Sequence, residues 1–250
     1  MAAPAQSWLL ISTRLAQQGD NLKYLRILGF FAYTMVIYVG LPLLGWGLDD
    51  IPGFFSLPVR VAYAVFFVVA ALAAGYQSTI VPGGVGGSKG EEGKLVRRQS
   101  LLRVLLVLSL FGGLALLSFA DRRSIAVLPD APAARWLGFS LLVLGGGLAF
   151  WSVIALGRLY SADVTIQQDH RLVSTGPYRY LRHPRYLGVL IATVGISLVF
   201  RSWLGLGASV LLLGVLLVRI KDEEALLQKE FGEEWTAYCR RSWRLVPFIY

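Results

Sequence analysis

Measured from one charged residue to the next, the chain holds long uncharged, mostly apolar stretches at Ile27–Leu48, Val61–Tyr76, Val104–Ala120 and Trp136–Gly157. Each is close to the ~20 residues that cross a bilayer as a helix. Two shorter runs follow, Leu187–Phe200 and Trp203–Val218, separated only by Arg201 and Ser202. That spacing predicts a helical hairpin with its turn at a membrane interface. Barrel strands would alternate apolar and polar positions, whereas these runs are continuously apolar, so helices are the expected way to satisfy the backbone in lipid. The expected fold class is an all-α, polytopic membrane helix bundle of about six transmembrane helices, the last two a hairpin.

Charge then orients the bundle. With the N-terminus in the cytosol, 19 of the 24 basic residues fall on the cytosolic side, and only Arg60, Arg122, Arg123, Arg135 and Arg201 fall on the other. That bias predicts both termini to be cytosolic. It also accounts for the net charge of +9 through contact with anionic headgroups of the lipid bilayer, so nucleic acid is not an expected partner. A content of 56% hydrophobic and 16% charged residues, with mean hydropathy +0.60, fits a chain whose main solvent is not water.

Smaller features narrow the organisation. The single cysteine, Cys239, excludes an internal disulfide framework and a cysteine-rich zinc site, and no metal is expected. The first apolar run begins beyond Arg26 and lacks a small-residue cleavage site, so it is expected to remain as a span. Trp8, Ile11 and Leu15 have the spacing of a short interfacial helix, with a frayed tail as the alternative. The segment Val81–Gly90 is glycine-rich, but Ser88 separates Gly87 from Lys89 and the flanks are membrane helices, so it reads as a linker and not a phosphate loop. Gly145, Gly146 and Gly147 suit close helix packing. The chain is expected to form one membrane domain over 1–250, four spans in 1–157 and a polar C-terminal region in 158–250.

Polar chemistry gathers in that second part. Both histidines, His170 and His183, lie just before the fifth run. Pro184 holds His183 extended and suits the first helical turn, which places His183 at the helix cap and turns free N–H groups toward the loop, where they favour an anion. Gly176-Pro177 signals a turn that would fold Tyr178 and His170 back to the helix start. Tyr178, Tyr180 and Tyr186 would then surround one opening and offer π faces to a cation such as a sulfonium. An interfacial belt that needs no ligand is the competing reading. The hairpin should bring Arg219, Glu223 and Glu224 to the same place, the carboxylates able to accept from hydroxyl or amino groups and Arg219 able to hold a carboxylate. Leu226, Leu227, Phe231, Trp235 and Tyr238 recur at helical spacing opposite Lys229, Glu233 and Glu234, describing an amphipathic cytosolic cap helix over the site.

The ordered segments His170–Val173, Gly176–Tyr178, Arg182–Gly188, Glu223-Glu224 and Phe231–Glu234 resemble the isoprenylcysteine carboxyl methyltransferase family over about the last third of the chain. The resemblance implies an S-adenosylmethionine pocket walled by His170, Arg171, Leu172, Val173, Tyr178, His183, Pro184, Arg185 and Tyr186, with Glu223 on the cofactor and Arg219 facing a substrate carboxylate. Methyl transfer requires in-line alignment in a desolvated pocket and no covalent intermediate. A carboxylate acceptor needs no base. For an amine or thiol, His183 or Glu224 is the candidate. The implied partner is a lipophilic, membrane-partitioned substrate: a prenylcysteine, a phospholipid or a small lipophile. The membrane would be the plasma or inner membrane in a prokaryote and the endoplasmic reticulum in a eukaryote. The sequence sets no oligomeric state. Two other readings stand beside this one. NADPH-dependent sterol reductases have a similar Arg-His-Pro region and an ending like Trp235, Tyr238-Cys239 and Pro247–Tyr250, and a non-catalytic membrane scaffold is the third.

Overall fold

The computed structural model describes residues 24–80, 112–157 and 172–249, and within these it is helical, with no strand and two isolated β-bridges. The glycine-rich segment, the N-terminal 23 residues, His170 and Arg171 lie outside the described residues. Helix α1 (Tyr24–Trp46) passes through one π turn at Val36–Gly40, where the Leu41 N–H reaches back to the Val36 carbonyl. Pro42 is the cause. Its ring lacks an N–H and would collide with the carbonyl four residues earlier, so the helix widens just before it. Prolines also open α2 (Pro58–Ile80), α4 (Pro132–Leu156) and α5 (Pro184–Val199), at the position where a missing N–H costs nothing. Helix α3 covers 112–123 of the described chain.

Helix α6 (Trp203–Cys239) is capped by the Ser202 hydroxyl, which accepts from the Gly205 N–H at 3.1 Å. Among the described residues, α1, α2, α4 and α6 are long and apolar enough to cross a membrane, and α5 is an apolar helix of 16 residues. The protein is an integral membrane protein with an all-helical fold.

Two sequence expectations are corrected. No separate cap helix starts near Leu226: α6 runs past Arg219 without a break, because the polar stretch Lys221–Glu224 consists largely of good helix formers. The break comes at Gly232, whose φ of 51° and ψ of −115° suit glycine, and the helix then resumes to Cys239. The third span does not stop at Ala120 either. It continues through Asp121 to 123, and Asp121, which lay just outside the apolar run, has a side chain with 0% exposure.

Asp121 is held by three arginines. Its Oδ2 accepts from Arg60 Nη2 at 2.6 Å and Arg135 Nη1 at 3.0 Å, and its Oδ1 from Arg135 Nη2 at 3.0 Å and Arg201 Nε at 2.7 Å. Arg135 also donates to Asp130 at 2.8 Å and to the Val199 carbonyl at 2.6 Å, while Arg60 lies 4.1 Å over the Trp46 ring. The node therefore ties α1, α2, α3, α4 and the α5–α6 turn at one end of the bundle. The turn is further fixed by Leu128 N–H to the Arg201 carbonyl at 2.6 Å and Trp203 N–H to the Ala126 carbonyl at 3.1 Å. Just beneath, Phe54, Tyr63, Phe67 and Phe200 form the aromatic core.

Helices α4 and α5 are joined by glycine. A Cβ on Gly145 would lie 2.5 Å from both the Ala192 nitrogen and the Gly188 carbonyl, and one on Gly188 would lie 2.6 Å from the Gly145 carbonyl. Backbone packs on backbone there, as small residues allow in lipid where no hydrophobic force separates helix from acyl chain. Over its 16 residues, α5 rises about 24 Å at 1.5 Å per residue. It carries the turn with its ionic node at one end and the His183 region at the other.

Candidate functional site

The site is built at the start of α5, where His183 is the N-cap and Pro184 the first helical residue. The preceding loop turns through a 3-10 segment, Gly176–Arg179. Because α5 and α6 form a hairpin, the last membrane turn of α6 returns to this level. Tyr186 on α5 donates its hydroxyl hydrogen to Glu223 Oε2 at 2.7 Å and accepts from Arg219 Nε at 2.8 Å. The His183 and Tyr186 rings stack 5.6 Å apart at 7°. The two clusters that sequence reasoning placed together thus share hydrogen bonds.

The two glutamates, adjacent in sequence, stand in different surroundings. Glu223 keeps 30% of its side chain exposed and accepts from Tyr186. Glu224 keeps 10% and faces three potential cations: Arg244 Nη2 at 2.8 Å, His183 Nε2 at 3.3 Å and Arg182 Nη1 at 3.4 Å. Glu224 lies past the ~20 residues from Trp203 that suffice to span. Burial raises its carboxyl, but the hydrogen bonds from His183 and Arg244 and the charge of Arg182 outweigh that and hold it below the usual carboxylate range. Its environment is that of a fixed anion.

Of the remaining expected residues, Tyr178 and Pro184 are buried, while Leu172, Val173 and Arg185 are half-buried. The three tyrosines do not surround one opening. Tyr186 stands in the site, Tyr178 is buried with its carbonyl accepting from the Tyr238 hydroxyl at 2.7 Å, and Tyr180 is 62% exposed under the Arg179 guanidinium. The sequence reading also missed the C-terminal tail. Arg182 Nη1 donates to Cys239 Sγ at 2.9 Å, and residues 243–244 pair with 180–183, with Arg182 N–H to the Trp243 carbonyl at 2.8 Å and His183 N–H to the Arg244 carbonyl at 3.2 Å. The His183 N–H is consequently not open to an anion. The sequence signal that bears on this contact is the basic stretch Arg240–Arg244, which had entered only as part of the cytosolic charge bias. Among the described residues no group of acidic, histidine or cysteine side chains could hold a metal.

Fold and site together define an α-helical integral membrane protein with a polar, arginine- and carboxylate-rich site at one end of its last hairpin. Residues 133–234 match the family model described as phospholipid methyltransferase. Curated relatives include protein-S-isoprenylcysteine O-methyltransferase B of Arabidopsis thaliana, 30% identical over 131 residues, covering 50% of this chain and 66% of that protein. The protein-S-isoprenylcysteine O-methyltransferase of Schizosaccharomyces pombe is 34% identical over 120 residues, covering 45% of this chain and 48% of that one. The chain thus spans less than two thirds of the length of the curated relatives it matches. Its fold is similar to the solved eukaryotic intramembrane Ras methyltransferase ICMT (isoprenylcysteine carboxyl methyltransferase), with a TM-score of 0.51 and 19% identity over 96% of this chain and 86% of that one. The likenesses are thus to isoprenylcysteine methyltransferases over about half of the chain and, over residues 133–234, to the phospholipid methyltransferase family model.

Proposed function

We propose that the chain is an S-adenosylmethionine-dependent integral membrane methyltransferase that methylates the carboxylate of a prenylcysteine-like or other lipophilic substrate. Its bundle has six spans, in a single membrane domain whose residues 158–250 form the cofactor-binding region. Both termini and the site face the cytosol. The polarity follows the positive-inside bias of the basic residues, since the five exceptions all sit at the end of the bundle with the Asp121 node.

The observation that carries the reading is the Tyr186 hydroxyl, which bonds Arg219 and Glu223 at once. It sets a carboxylate-binding cation beside an acceptor of hydroxyl or amino groups. The donor set fits the cofactor: Glu223 is open enough to accept from it, and the stacked His183–Tyr186 pair presents π surface to a cation. When bound, S-adenosylmethionine supplies an electrophilic methyl group. The chain's own residues align and desolvate the reactants. Arg219 orients the substrate carboxylate, which is ionised at neutral pH and needs no base, while Leu172, Val173, His183, Pro184, Arg185 and Tyr186 wall the pocket. Glu224, already surrounded by positive charge, serves as an anchor for His183 and not as a base.

Equilibrium binding of labelled S-adenosylmethionine and of NADPH to the detergent-solubilised protein tests this, repeated with His183→Ala and Glu223→Ala. Cofactor binding lost in both variants supports the pocket. NADPH binding without it would replace the methyltransferase with a reductase, and binding of neither would leave a scaffold. Arg219→Ala should abolish carboxylate methylation and spare cofactor binding.

A further inference from the structure

The segment after α6 returns along the start of α5 as a strap. Its Trp243 N–H donates to the Tyr180 carbonyl at 2.8 Å, and the Arg182 and His183 N–H groups donate to the carbonyls of Trp243 and Arg244 at 2.8 and 3.2 Å. Leu245 is its buried peg, and the buried Ser242 hydroxyl donates to the Tyr238 carbonyl at 2.7 Å. Other side chains of the strap turn outward. Trp243 is exposed with its ring 5.1 Å from that of Phe248, and Phe248 and Ile249, at 84% and 81% exposure, are the most exposed large apolar side chains among the described residues.

Depth places this apolar edge at a bilayer surface. Helix α5 has 16 residues and rises about 24 Å, less than the ~30 Å of bilayer hydrocarbon. With Arg201 and the Asp121 node at one boundary, the opposite boundary falls at or before Pro184, among residues 180–183 and the strap paired with them. Any tilt of α5 moves that boundary further toward the strap. Charge fits the same place. From Arg240 to Ile249 the strap carries three arginines and no acidic residue, and Glu233 and Glu234, the acids that precede it, belong to α6. Arg244 is committed to Glu224, whereas Arg240 and Arg241 are exposed. Aromatic and aliphatic side chains at headgroup depth beside exposed arginines form an anchor for a negatively charged lipid surface.

We propose that the strap, residues 240–249, is a docking surface for an anionic lipid leaflet: Trp243, Phe248 and Ile249 enter the headgroup region, and Arg240 and Arg241 contact anionic headgroups. The same strap brings Arg244 to within 2.8 Å of Glu224 and gives the His183 N–H its acceptor, so docking fastens the site from outside. The inference does not depend on the methyltransferase reading.

The test uses the full chain reconstituted into vesicles of phosphatidylcholine alone or of phosphatidylcholine with phosphatidylglycerol. A fluorophore on Ile249→Cys, in a Cys239→Ser background that removes the single native cysteine, should be quenched by lipids brominated on their acyl chains. That quenching should be at least about twofold stronger with phosphatidylglycerol, and Arg240→Gln with Arg241→Gln should erase the difference. In the unlabelled wild type, hydrogen exchange at the backbone N–H groups of Arg182, His183 and Trp243 should be slower in the anionic vesicles. A label quenched by aqueous iodide and not by brominated lipid would overturn the proposal and give the exposed rings to a protein partner. Equal quenching in the two vesicles would overturn it as well, marking an apolar contact indifferent to charge. Exchange that is the same in both would refute the fastening of the site.

Discussion

Replacing Asp121 by alanine should be among the most destabilising single changes in the described part of this protein. Its carboxylate, with 0% side-chain exposure, accepts four hydrogen bonds from Arg60, Arg135 and Arg201 at 2.6 to 3.0 Å. Removing one partner of a buried ion pair costs about 3–5 kcal/mol, because the other charge remains buried and uncompensated. Here the losses are unequal. Arg135 keeps Asp130 at 2.8 Å, and Arg201 keeps it at 3.8 Å. Arg60 keeps no carboxylate among the described residues, and retains the Gly53 and Phe54 carbonyls at 3.4 and 3.3 Å and the rings of Trp46 and Phe54. We therefore expect a loss at the upper part of that range, about 4–5 kcal/mol, or roughly a thousandfold in the folded-to-unfolded ratio. The assay is tryptophan-monitored unfolding in mixed micelles of mild detergent and dodecyl sulfate. A paired replacement, Asp121→Leu with Arg60→Met, should recover part of the loss, since apolar substitutes for buried ions are often neutral. A cost below about 1 kcal/mol for Asp121→Ala would refute the reasoning, because only a hydrated node behaves that way.

Two further outcomes test other parts of the fold. Tyr186→Phe removes the hydroxyl that joins Arg219 to Glu223, a loss of about 1.5–3 kcal/mol for hydrogen bonds to charged groups. Steady-state methylation should show at least a tenfold fall in kcat/KM, and thermal unfolding a lower melting temperature, and an unaffected rate would dissociate this hydroxyl from the chemistry. Gly145→Ala places a methyl group 2.5 Å from backbone atoms of α5, so it should destabilise by about 1–3 kcal/mol, readable as a lower melting temperature. At Gly147, where a Cβ meets nothing within 4 Å, the same substitution should be silent.

How far the sequence could be read depends on whether the cause was local. Continuous apolar runs set the helices because lipid offers the backbone no other partner, and Pro184 set the start of α5 because its ring forbids one conformation before it and suits the next. His183 as the N-cap, and the meeting of Tyr186 with Arg219 and Glu223, were therefore legible from spacing and a two-residue hairpin turn. Local pattern failed where partners come from distant segments. Asp121 looked like a residue beyond the end of its span, but arginines 61, 14 and 80 residues away in sequence make its burial tolerable. Tyr180 looked equivalent to Tyr178 and Tyr186, and only the turn at Gly176–Arg179 sends it outward.

The glutamate pair shows the division most sharply. Sequence alone determined that two adjacent carboxylates stand at the end of the last apolar run, facing a histidine and an arginine. Tertiary structure decided which is buried among cations and which keeps partial exposure, because neighbouring residues on a helix point about 100° apart and, although both reach His183, only Glu224 also meets Arg182 and the tail's Arg244. Electrostatic roles belong to the set of charges within a few ångströms, and for Glu224 that set is assembled from three segments which only the folded hairpin and its returning tail bring together.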